Sequence, residues 1–585
     1  MTARSLNDER AQRYSANLQF AAAWTAVACA DSMKGRSTMT MTSEQSAFAS
    51  GQEAREIDAV VVGAGFAGLH MLHKLRELGF SVRVYEAGGG LGGTWYWNRY
   101  PGARVDVKSM YYNYSFDPEL EQEWEWTEKL PPQPELLRYI DHVADRFDLR
   151  KDVRLHTRVT AAVYDESAAR WRITTDRGEV VSARFAIMAT GCLSVPKRVE
   201  VPGIETFRGR SFHTGEWPEH DVDFTGRRVA VIGTGSSGVQ IVPLVAAAAE
   251  QLTVFQRTAN YVLPAGNHPI DPEYQREIKS RYREVRTANR ESSFGIAQPE
   301  PTKGALEVSE EERNAFYRKV WEDKDSELVS MLVGFTDLLA DEAANETAAQ
   351  FIRDRIAEIV TDPAVARLLQ PSGLFGVKRP VLGTNYYETF NRPNVRLVDV
   401  RATPLTQVTA SGLETTAESF EFDDIIYATG FDAMTGALAA IDIRGRDGVS
   451  LREKWAAGPV TYLGLAVAGF PNLFTLAGSG SPSVLSNMMV SIEQHVDWVA
   501  DAIVSMRSRG ITTMEARVDA EQGWTRHVGE VGDMTLYPKV DSWYVGSNVP
   551  GKPRVMYAYI GGVGAYREKC DQVAAADYEG FTLTQ

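Results

Sequence analysis

Residues 57–68 read Ile57-Asp-Ala-Val-Val-Val-Gly63-Ala-Gly65-Phe-Ala67-Gly68, an apolar run that ends in a glycine-rich turn. The run predicts a buried parallel strand, and leucines at helical spacing over 67–78 predict a helix directly after the turn. A second apolar run over 81–86 ends in Glu86, which lies 18 residues beyond the last glycine. An acid at about 20 residues indicates a Rossmann-type dinucleotide-binding unit, in which the carboxylate accepts hydrogen bonds from a ribose.

A second turn of the same kind occurs at Gly233-Thr-Gly235-Ser236-Ser237-Gly238, directly after the apolar run 229–232. The next predicted strand ends in Val254-Phe255-Gln256-Arg257-Thr258 and carries no acid. A guanidinium pairs with a 2′-phosphate, whereas a carboxylate repels it. The first site is therefore expected to favour FAD or NAD, and the second site is expected to favour NADP.

Two further strands end alike, in Ala189-Thr190-Gly191 and Ala428-Thr429-Gly430, and such small residues let a backbone pass close to a nucleotide or cross between domains. We therefore expect the chain to leave its first domain near 190 and to return near 430. Between them, a capping box at Ser309 and helical spacing over 347–360 indicate a helical insert. The predicted fold class is α/β, with two Rossmann-like dinucleotide-binding domains (FAD and NADP), the second inserted in the first. The predicted division is 1–55 disordered N-terminal extension, 56–190 and 430–585 FAD-binding domain, 191–264 and 374–429 NADP-binding domain, and 265–373 helical insert.

Two other stretches have an unusual composition. Residues 92–106 read Gly-Gly-Thr-Trp-Tyr-Trp-Asn-Arg-Tyr-Pro-Gly-Ala-Arg-Val-Asp, and this mixture of aromatics, arginines and glycines suits the walls around a flat anionic cofactor better than a core under a sheet. Residues 207–218, between the two glycine-rich turns, have the spacing Phe-x-Gly-x3-His-x3-Trp-Pro. By itself this spacing is typical of a loop with a buried aromatic residue at each end. His213 at its centre is expected to be a hydrogen-bonded spacer that couples domain rotation to catalysis, not a general base.

Taken together, the two turns, Glu86 and these two stretches resemble the type I Baeyer–Villiger monooxygenases. From about residue 57 to the C-terminus, the chain is most similar to the phenylacetone and steroid monooxygenase branch of that family. The resemblance implies a single-chain FAD enzyme that uses NADPH and O2 to insert one oxygen atom beside a ketone carbonyl, giving an ester or lactone. It further implies that a C4a-peroxyflavin carries the oxygen and must be kept anionic and shielded from water. Oxidation of sulfides is an expected side activity.

The resemblance also assigns roles to individual residues. Arg379 matches the arginine that holds the peroxyanion and the charge of the ketone adduct, and Asp106 matches the acid that pairs with it. From the residues alone, such a pair is more often a structural salt bridge. Trp543 matches a tryptophan on a mobile loop that reaches the nicotinamide, and Lys378, Arg257 and Thr258 match positions on the 2′-phosphate side of NADP. The expected cofactor contacts are Gly63, Gly65, Ala67, Gly68, Glu86, Thr94, Trp95, Tyr96, Trp97, Arg104, Val105, Asp106, Tyr112, Val159, Cys192, Gly233, Gly235, Ser236, Ser237, Gly238, Val239, Gln240, Arg257, Thr258, Lys378, Arg379, Met488 and Trp543. The expected substrate contacts are Val107, Gln133, Pro134, Leu193, Ser483, Val484 and Leu485.

Two of these positions depart from phenylacetone monooxygenase: Cys192 stands where that enzyme has glutamine, and Val484 replaces a smaller alanine. Both departures leave the identity of the ketone and the geometry of the cofactor open. Most of the expected substrate contacts are apolar, which suits a hydrophobic ketone.

The bulk composition argues against several classes of protein. A net charge of -15 over 585 residues disfavours a nucleic-acid partner, because phosphate binding needs a basic face. The three cysteines form no metal or redox pair by spacing, and His70 and His73 have no third metal ligand in view. No apolar run approaches the about 20 residues of a membrane span. We therefore expect a cytoplasmic monomer without a metal. Residues 1–55 are expected to be a disordered tail, or the result of a start codon assigned too far upstream.

Three alternatives stay open. A flavin monooxygenase that oxidises amine or sulfide heteroatoms shares both turns but does not need the arginine that Arg379 matches. A pyridine-nucleotide disulfide reductase requires a cysteine pair beside the flavin, which the spacing does not provide. A non-enzymatic nucleotide-binding protein would consume no NADPH with any ketone.

Overall fold

The computed structural model describes residues 55–585, so the extension predicted to be disordered lies outside the described residues, apart from Arg55. The segment 55–188 opens with the predicted strand, helix and strand. Its strands are β1 (Arg55–Val62), β2 (Val82–Tyr85), β3 (Val153–Arg154), β4 (Val159–Asp165), β5 (Arg170–Thr175) and β6 (Val180–Met188). Its helices are α1 (Phe66–Glu77), α2 (Thr94–Trp97), α3 (Pro118–Glu123) and α4 (Gln133–Arg146).

The segment 210–427 repeats the strand–helix–strand pattern and carries the insert. Its strands are β7 (Arg210–His213), β8 (Arg228–Ile232), β9 (Gln251–Gln256), β10 (Val262–Pro264), β11 (Val381–Gly383), β12 (Val395–Asp399), β13 (Leu405–Thr409), β14 (Gly412–Thr415), β15 (Ser419–Glu421) and β16 (Asp424–Tyr427). Its helices are α5 (Ser236–Ala248), α6 (Pro272–Ser280), α7 (Tyr282–Glu291), α8 (Glu310–Glu322), α9 (Glu342–Ile359), α10 (Pro363–Leu369) and α11 (Tyr386–Thr389).

The last part of the chain is mainly helical. Its helices are α12 (Gly436–Ala439), α13 (Leu451–Lys454), α14 (Met488–Ser508), α15 (Val518–Asp533) and α16 (Val563–Ala575). Its strands are β17 (Asp442–Arg444), β18 (Leu473–Thr475), β19 (Thr513–Ala516) and β20 (Phe581–Thr584). Within residues 55–585, no helix combines the length and the apolar character needed to cross a bilayer.

Two sheets organise these elements. The first has the order β17-β4-β5-β6-β1-β2-β3, with β18 also paired to β6, so strands from before residue 190 and from after residue 430 share it. The second sheet has the order β12-β9-β8-β16-β7 and is parallel throughout. Its strands all lie in the sequence between the two parts of the first sheet. The α/β class with two Rossmann-like units, the second inserted in the first, is confirmed.

The predicted helical insert follows from local capping. Ser309 accepts a hydrogen bond from Glu312 N at 3.1 Å and starts α8, as the capping box predicts. Helix α9 begins earlier than the predicted residue 347, because Asp341 caps it by accepting from Ala344 N. The chain leaves and re-enters the second unit through the two-stranded parallel pair β10 and β11, and this pair places Arg379 directly before β11.

Candidate active site

The first glycine-rich turn leaves no room for side chains. A Cβ on Gly63, where φ is +105°, would lie 2.5 Å from the Ala189 carbonyl oxygen. A Cβ on Gly68 would lie 1.9 Å from the Gly63 carbonyl oxygen. The first turn of α1 therefore packs directly against the end of the sheet, where its N–H groups are suited to an anion.

The second turn repeats this packing residue for residue. A Cβ on Gly233, at φ +111°, would lie 2.3 Å from the Ala428 carbonyl oxygen, and one on Gly238 would lie 2.2 Å from the Gly233 carbonyl oxygen. In both units the Ala-Thr-Gly strand ending therefore packs against the first glycine of the turn. Gly235 differs, because no heavy atom of the described residues lies within 4 Å of a Cβ built on it.

Glu86 is buried at the end of β2. Its carboxylate accepts hydrogen bonds from Ala64 N at 2.8 Å and from Gly88 N at 2.7 Å. Each carboxylate oxygen has a second lone pair, so the group can still accept from ribose hydroxyls. An anion at this position disfavours a 2′-phosphate, as the sequence predicts.

Four cations gather near the end of β9. Burial, and after it the charge of Arg257, lower the pKa of both Lys378 and Lys197, and Arg401 lowers the pKa of Lys378 further. Asp541 raises the pKa of Lys378, and Glu200 and Asp432 raise that of Lys197, each by less than Arg257 lowers it. The excess of positive charge around Arg257 and Lys378 suits a phosphate anion. Sequence reasoning found Arg257 and Lys378 but missed Lys197 and Arg401, because neither belongs to a motif.

The aromatic stretch 92–106 joins the two glycine-rich turns. A Cβ on Gly93 would lie 2.9 Å from Gly65 Cα. At the other end, Tyr100 donates to Gln240 Oε1 at 2.7 Å, and Gln240 Nε2 donates to the Arg104 carbonyl oxygen at 3.0 Å. The stretch thus links the first turn to helix α5 of the second unit.

Several side chains of the predicted set are occupied by protein partners. The Tyr96 ring covers the glycines at 88–90, and its hydroxyl accepts from Gly89 N and donates to Glu219. The Arg104 guanidinium donates to Glu128 and to the Leu130 carbonyl. The side chains of Val159 and Val239 lie in apolar cores, so we expect only the backbone of these two residues to be available to a dinucleotide.

Arg379 and Asp106 form a bidentate ion pair. Arg379 Nε donates to Asp106 Oδ2 at 2.8 Å, and Nη2 donates to Oδ1 at 2.9 Å. Nη1 donates to the Val484 carbonyl oxygen at 3.1 Å. These three bonds use three of the five N–H groups of a guanidinium, and the Tyr544 hydroxyl is a further hydrogen-bond partner of Arg379, which leaves one N–H group for an acceptor from outside the chain. Burial alone would lower the pKa of Arg379, but the adjacent Asp106 carboxylate raises it above its ordinary value, so the guanidinium stays charged.

Val484 holds its carbonyl in this position through an unusual backbone conformation. Its φ is +66°, a value that β-branched residues rarely adopt. The segment is fixed on its C-terminal side by Asn487, whose N donates to the Phe294 carbonyl and whose Nδ2 donates to the Tyr111 carbonyl, both at 2.8 Å. Rigid anchoring of this kind is what allows a strained residue to persist.

An apolar cluster adjoins the ion pair. It includes the predicted residues Cys192, Val484 and Leu485, with Leu193, Met488 and Trp543 packed against it. Two tyrosines that sequence reasoning missed belong to the same cluster: Tyr544 and Tyr537, with ring centroids 5.3 Å apart. Burial raises the pKa of Tyr544 to about 12, whereas the neighbouring Arg379 acts in the opposite direction. Both phenols therefore remain neutral at physiological pH.

The other predicted substrate residues lie around α4 and the serine-rich segment before α14. Gln133, at the first position of α4, is buried and donates from Nε2 to the Trp95 carbonyl at 2.5 Å, whereas Pro134 is exposed. Trp95 Nε1 in turn donates to the buried Tyr112 hydroxyl at 3.3 Å. Val107 and Ser483 are buried.

These residues fit the two dinucleotides implied by the sequence. Each Rossmann-like unit presents a turn in which the first and the last glycine have no room for a Cβ. One turn has a buried carboxylate at its ribose position, and the other has clustered cations. The Arg379 guanidinium and the apolar cluster lie beside the segment that joins the two units. The donor set therefore suits FAD at the first turn and NADP at the second.

Comparison with known proteins is consistent with this geometry. A family model described as pyridine nucleotide-disulphide oxidoreductase matches residues 60–336. A Baeyer-Villiger monooxygenase of Pseudooceanicola batsensis is 42% identical over 529 residues, which cover 90% of this chain and 96% of the relative. The chain belongs to the Baeyer–Villiger monooxygenase family. A relative from Lysobacter antibioticus, named phenazine N-monooxygenase, is also 42% identical, over 90% of this chain and 97% of its own.

Solved structures agree with this fold over about nine tenths of the chain. An oxidized steroid monooxygenase bound to NADP is 50% identical with a TM-score of 0.87, covering 91% of this chain and 100% of its own. The OTEMO complex with FAD and NADP is 42% identical with a TM-score of 0.88 over the same shares. In the described part of this family member, Cys192 and Cys570 are both free and buried, so that part contains no disulfide.

Proposed function

We propose that this chain is an NADPH- and O2-dependent flavoprotein monooxygenase that inserts one oxygen atom beside a ketone carbonyl, giving an ester or a lactone. The observation that supports this function most directly is the Arg379–Asp106 pair beside an apolar cluster. Family membership supports it as well, since the relatives include Baeyer-Villiger monooxygenases and the related structures contain FAD and NADP.

The proposed division of labour follows the two sheets. FAD is assigned to residues 56–190 and 430–585, with Glu86 at its ribose and α1 at its pyrophosphate. NADP is assigned to residues 191–264 and 374–429, with Arg257, Lys378 and Thr258 at the 2′-phosphate and the helical insert 265–373 between them. Lys197 and Arg401 add positive charge near the proposed 2′-phosphate site, since Lys197 interacts with Arg257 and Arg401 interacts with Lys378.

FAD, when bound, supplies the redox chemistry that activates O2 with electrons from NADPH. Arg379 would hold negative charge on oxygen through the N–H group that its protein partners leave available, both before attack on the ketone and after it. Asp106 fixes the plane of the guanidinium by two parallel hydrogen bonds, and the Val484 carbonyl fixes its rotation by a third. No proton needs to leave Arg379, since its pKa is raised.

The apolar cluster orients the ketone and excludes water. Leu193, Val484 and Leu485 offer hydrophobic contacts without competing hydrogen-bond donors, and the phenols of Tyr537 and Tyr544 remain protonated at neutral pH. Water exclusion also strengthens the interaction between Arg379 and an oxygen anion. A hydrophobic, uncharged ketone is therefore the proposed substrate.

Product analysis with labelled oxygen tests this function. Purified protein is incubated with FAD, NADPH and 18O2, and a panel of linear, cyclic, aryl and steroid ketones is analysed by mass spectrometry. We expect an ester or lactone that carries one 18O atom and forms in proportion to the NADPH consumed. NADPH consumption that yields only hydrogen peroxide with every ketone would contradict the proposal.

Oxygenation of a heteroatom is the second candidate function. It is favoured by the relative from Lysobacter antibioticus, whose name gives a phenazine nitrogen as its site of oxidation. The same incubations with phenazine and with an aryl sulfide distinguish the two activities. An N-oxide or sulfoxide formed faster than any ester would make heteroatom oxidation the main reaction.

We further propose that the enzyme acts as a cytoplasmic monomer on small molecules, without a nucleic-acid partner. The requirement for NADPH favours the cytoplasm, and the net charge of -15 disfavours binding to nucleic acid. Light scattering at micromolar concentration tests the monomer, and a stable dimer would contradict it.

A further inference from the structure

The two segments that connect the sheets pair with each other. Strand β6 ends at Met188 and β7 begins at Arg210, whereas β16 ends at Tyr427 and β17 begins at Asp442. The two connecting segments form three backbone hydrogen bonds with each other. Lys197 N donates to Gly430 O at 2.8 Å, Asp432 N donates to Val195 O at 2.9 Å, and Met434 N donates to Cys192 O at 2.8 Å. We call residues 192–197 and 430–434 the paired linkers.

A loop near the C-terminus is fastened to these linkers. Lys552 Nζ donates to Asp432 Oδ1 and to the Ala433 carbonyl oxygen, both at 2.6 Å. The Lys552 side chain is only 9% exposed, and its ammonium lies 5.0 Å from the centre of the Tyr557 ring. A partly buried, charge-assisted pair of this kind is stronger than an exposed surface ion pair.

Asn548 of the same loop adds two contacts to the same linkers. Its Nδ2 donates to the Phe431 carbonyl oxygen at 2.8 Å, and its carbonyl accepts a hydrogen bond from Lys197 Nζ. Every one of these contacts falls on the paired linkers rather than on a strand of either sheet. The position of the loop is therefore tied to the path by which the chain passes between the two units.

The segment just before these contacts carries two aromatic residues of the candidate active site. Trp543 and Tyr544 have ring centroids 3.9 Å apart, and both pack in the apolar cluster beside Arg379. The backbone of Tyr544 is bonded to Tyr557, whose N donates to the Tyr544 carbonyl at 2.9 Å. A loop released from the linkers would thus loosen one side of this apolar cluster, and we call the site formed by the cluster and the guanidinium the Arg379 pocket.

We propose that Lys552 and Asp432 are positioning residues for oxygen transfer: their ion pair fastens the 542–554 loop to the paired linkers and so keeps Trp543 and Tyr544 closed over the Arg379 pocket. This inference rests on the proposed function, because the pocket has to exclude water for oxygen transfer to compete with loss of hydrogen peroxide. Neither Lys552 nor Asp432 is proposed to touch the reacting atoms. Their effect is on how long the pocket remains closed.

Two variants test the ion pair, and a third serves as a matched control. Lys552→Met removes the ammonium at similar length, and Asp432→Asn removes the charge at equal size. The control is Lys74→Met, which breaks the Lys74–Asp497 ion pair of 2.9 Å between α1 and α14. Hydrogen exchange measured by mass spectrometry, without substrate, follows the backbone of residues 543–550. Turnover with a ketone gives the fraction of NADPH that ends in hydrogen peroxide.

We expect about tenfold faster exchange of the loop in Asp432→Asn, the effect of losing one charge-assisted hydrogen bond. Lys552→Met should exchange at least as fast as Asp432→Asn, because it also loses the bond to the Ala433 carbonyl. The double variant should exchange no faster than the more affected single one, since both remove the same interaction. The peroxide fraction should rise severalfold in the test variants while flavin reduction by NADPH keeps its rate, and the control should match the wild type in all three measurements.

Loop exchange equal to that of the control, or faster exchange with an unchanged peroxide fraction, would overturn the positioning role. A failure of the proposed function has a different signature: the wild type itself would form no ester, while the exchange rates would still separate the test variants from the control.

Discussion

Replacement of Asp106 by asparagine separates the capture of oxygen from the reduction of the flavin. The aspartate accepts from Arg379 Nε at 2.8 Å and from Nη2 at 2.9 Å. Asparagine offers one oxygen and an NH2 group, so one of the two guanidinium N–H groups faces a donor instead of an acceptor. The third bond, to the Val484 carbonyl, remains, and it holds the guanidinium by one edge only.

The size of the effect follows from the bond that is lost. A hydrogen bond to a charged group contributes about 1.5–3 kcal/mol. If that contribution is lost where charge develops on oxygen, ester formation slows by about 10- to 150-fold. The two glycine-rich turns and the cation cluster are unchanged, so NADPH should reduce the flavin at the wild-type rate.

Two measurements check this expectation. Anaerobic stopped-flow absorbance follows flavin reduction, and gas chromatography after aerobic turnover follows the ester, with peroxide measured in parallel. Arg379→Ala is the reference variant, because it should reduce its flavin and form no ester. Ester formation by Asp106→Asn within about twofold of wild type would show that the ion pair is structural only. Near-wild-type ester formation by Arg379→Ala would remove the catalytic assignment altogether.

Three further predictions concern the nucleotide sites. Arg257→Ala should raise the KM for NADPH with little change in kcat, because it removes binding to a part of NADPH that does not react; an unchanged KM would place the phosphate partner elsewhere. Burial, and after it Arg257, lower the pKa of Lys378, so the ammonium is lost at a pH below the ordinary lysine pKa of about 10.4, and the KM for NADPH should climb as the pH rises towards that value; the climb should be weaker in Lys378→Met, and a wild-type profile as flat as that variant's would contradict this. Gly68→Ala should lower the melting temperature and the flavin content, since its Cβ meets the Gly63 carbonyl at 1.9 Å, whereas Gly235→Ala has open space and should keep the melting temperature but raise the KM for NADPH; equal melting temperatures for the two variants would refute the steric reasoning.

The fold could be predicted from the sequence because its signals are local. A strand, a glycine turn and a helix within about 25 residues predict each Rossmann-like unit. The Ala-Thr-Gly endings at 189–191 and 428–430 indicate where the chain crosses between the two units. The structure supplies the physical reason for those endings. The carbonyl oxygens of Ala189 and Ala428 come within 2.5 Å of a Cβ built on Gly63 or Gly233, so each strand ending fits only against a glycine.

The candidate site could not be assembled in the same way. Arg379 meets Asp106 across 273 residues and Val484 across 105 residues, and no periodicity links positions so far apart. The first pair came from family resemblance alone. The carbonyl of Val484, the tyrosines at 537 and 544, and the cations at 197 and 401 carry no motif, so only the folded chain shows that they converge.

The hydrogen bonds of His213 explain its place at the centre of the spacing at 207–218. His213 Nδ1 accepts from Gly215 N at 3.0 Å, so the ring proton of a neutral imidazole is on Nε2, 3.2 Å from Thr429 Oγ1. The Thr429 hydroxyl donates its own proton to the Lys197 carbonyl at 2.8 Å, which makes it an acceptor for His213. A protonated imidazole would lose the bond from Gly215. Because burial lowers the pKa of His213, the ring stays neutral and both bonds persist at pH values below the ordinary pKa of histidine.

This tautomer makes His213 a fixed link rather than a proton carrier. Through Thr429 it fastens the end of β7 to the paired linkers, and the same linkers hold the loop that carries Trp543. Residues 207–218 therefore supply no reacting group. They help to fix the linkers between the two nucleotide units, and in the proposed mechanism the linkers determine whether the pocket beside Arg379 is closed when oxygen is transferred.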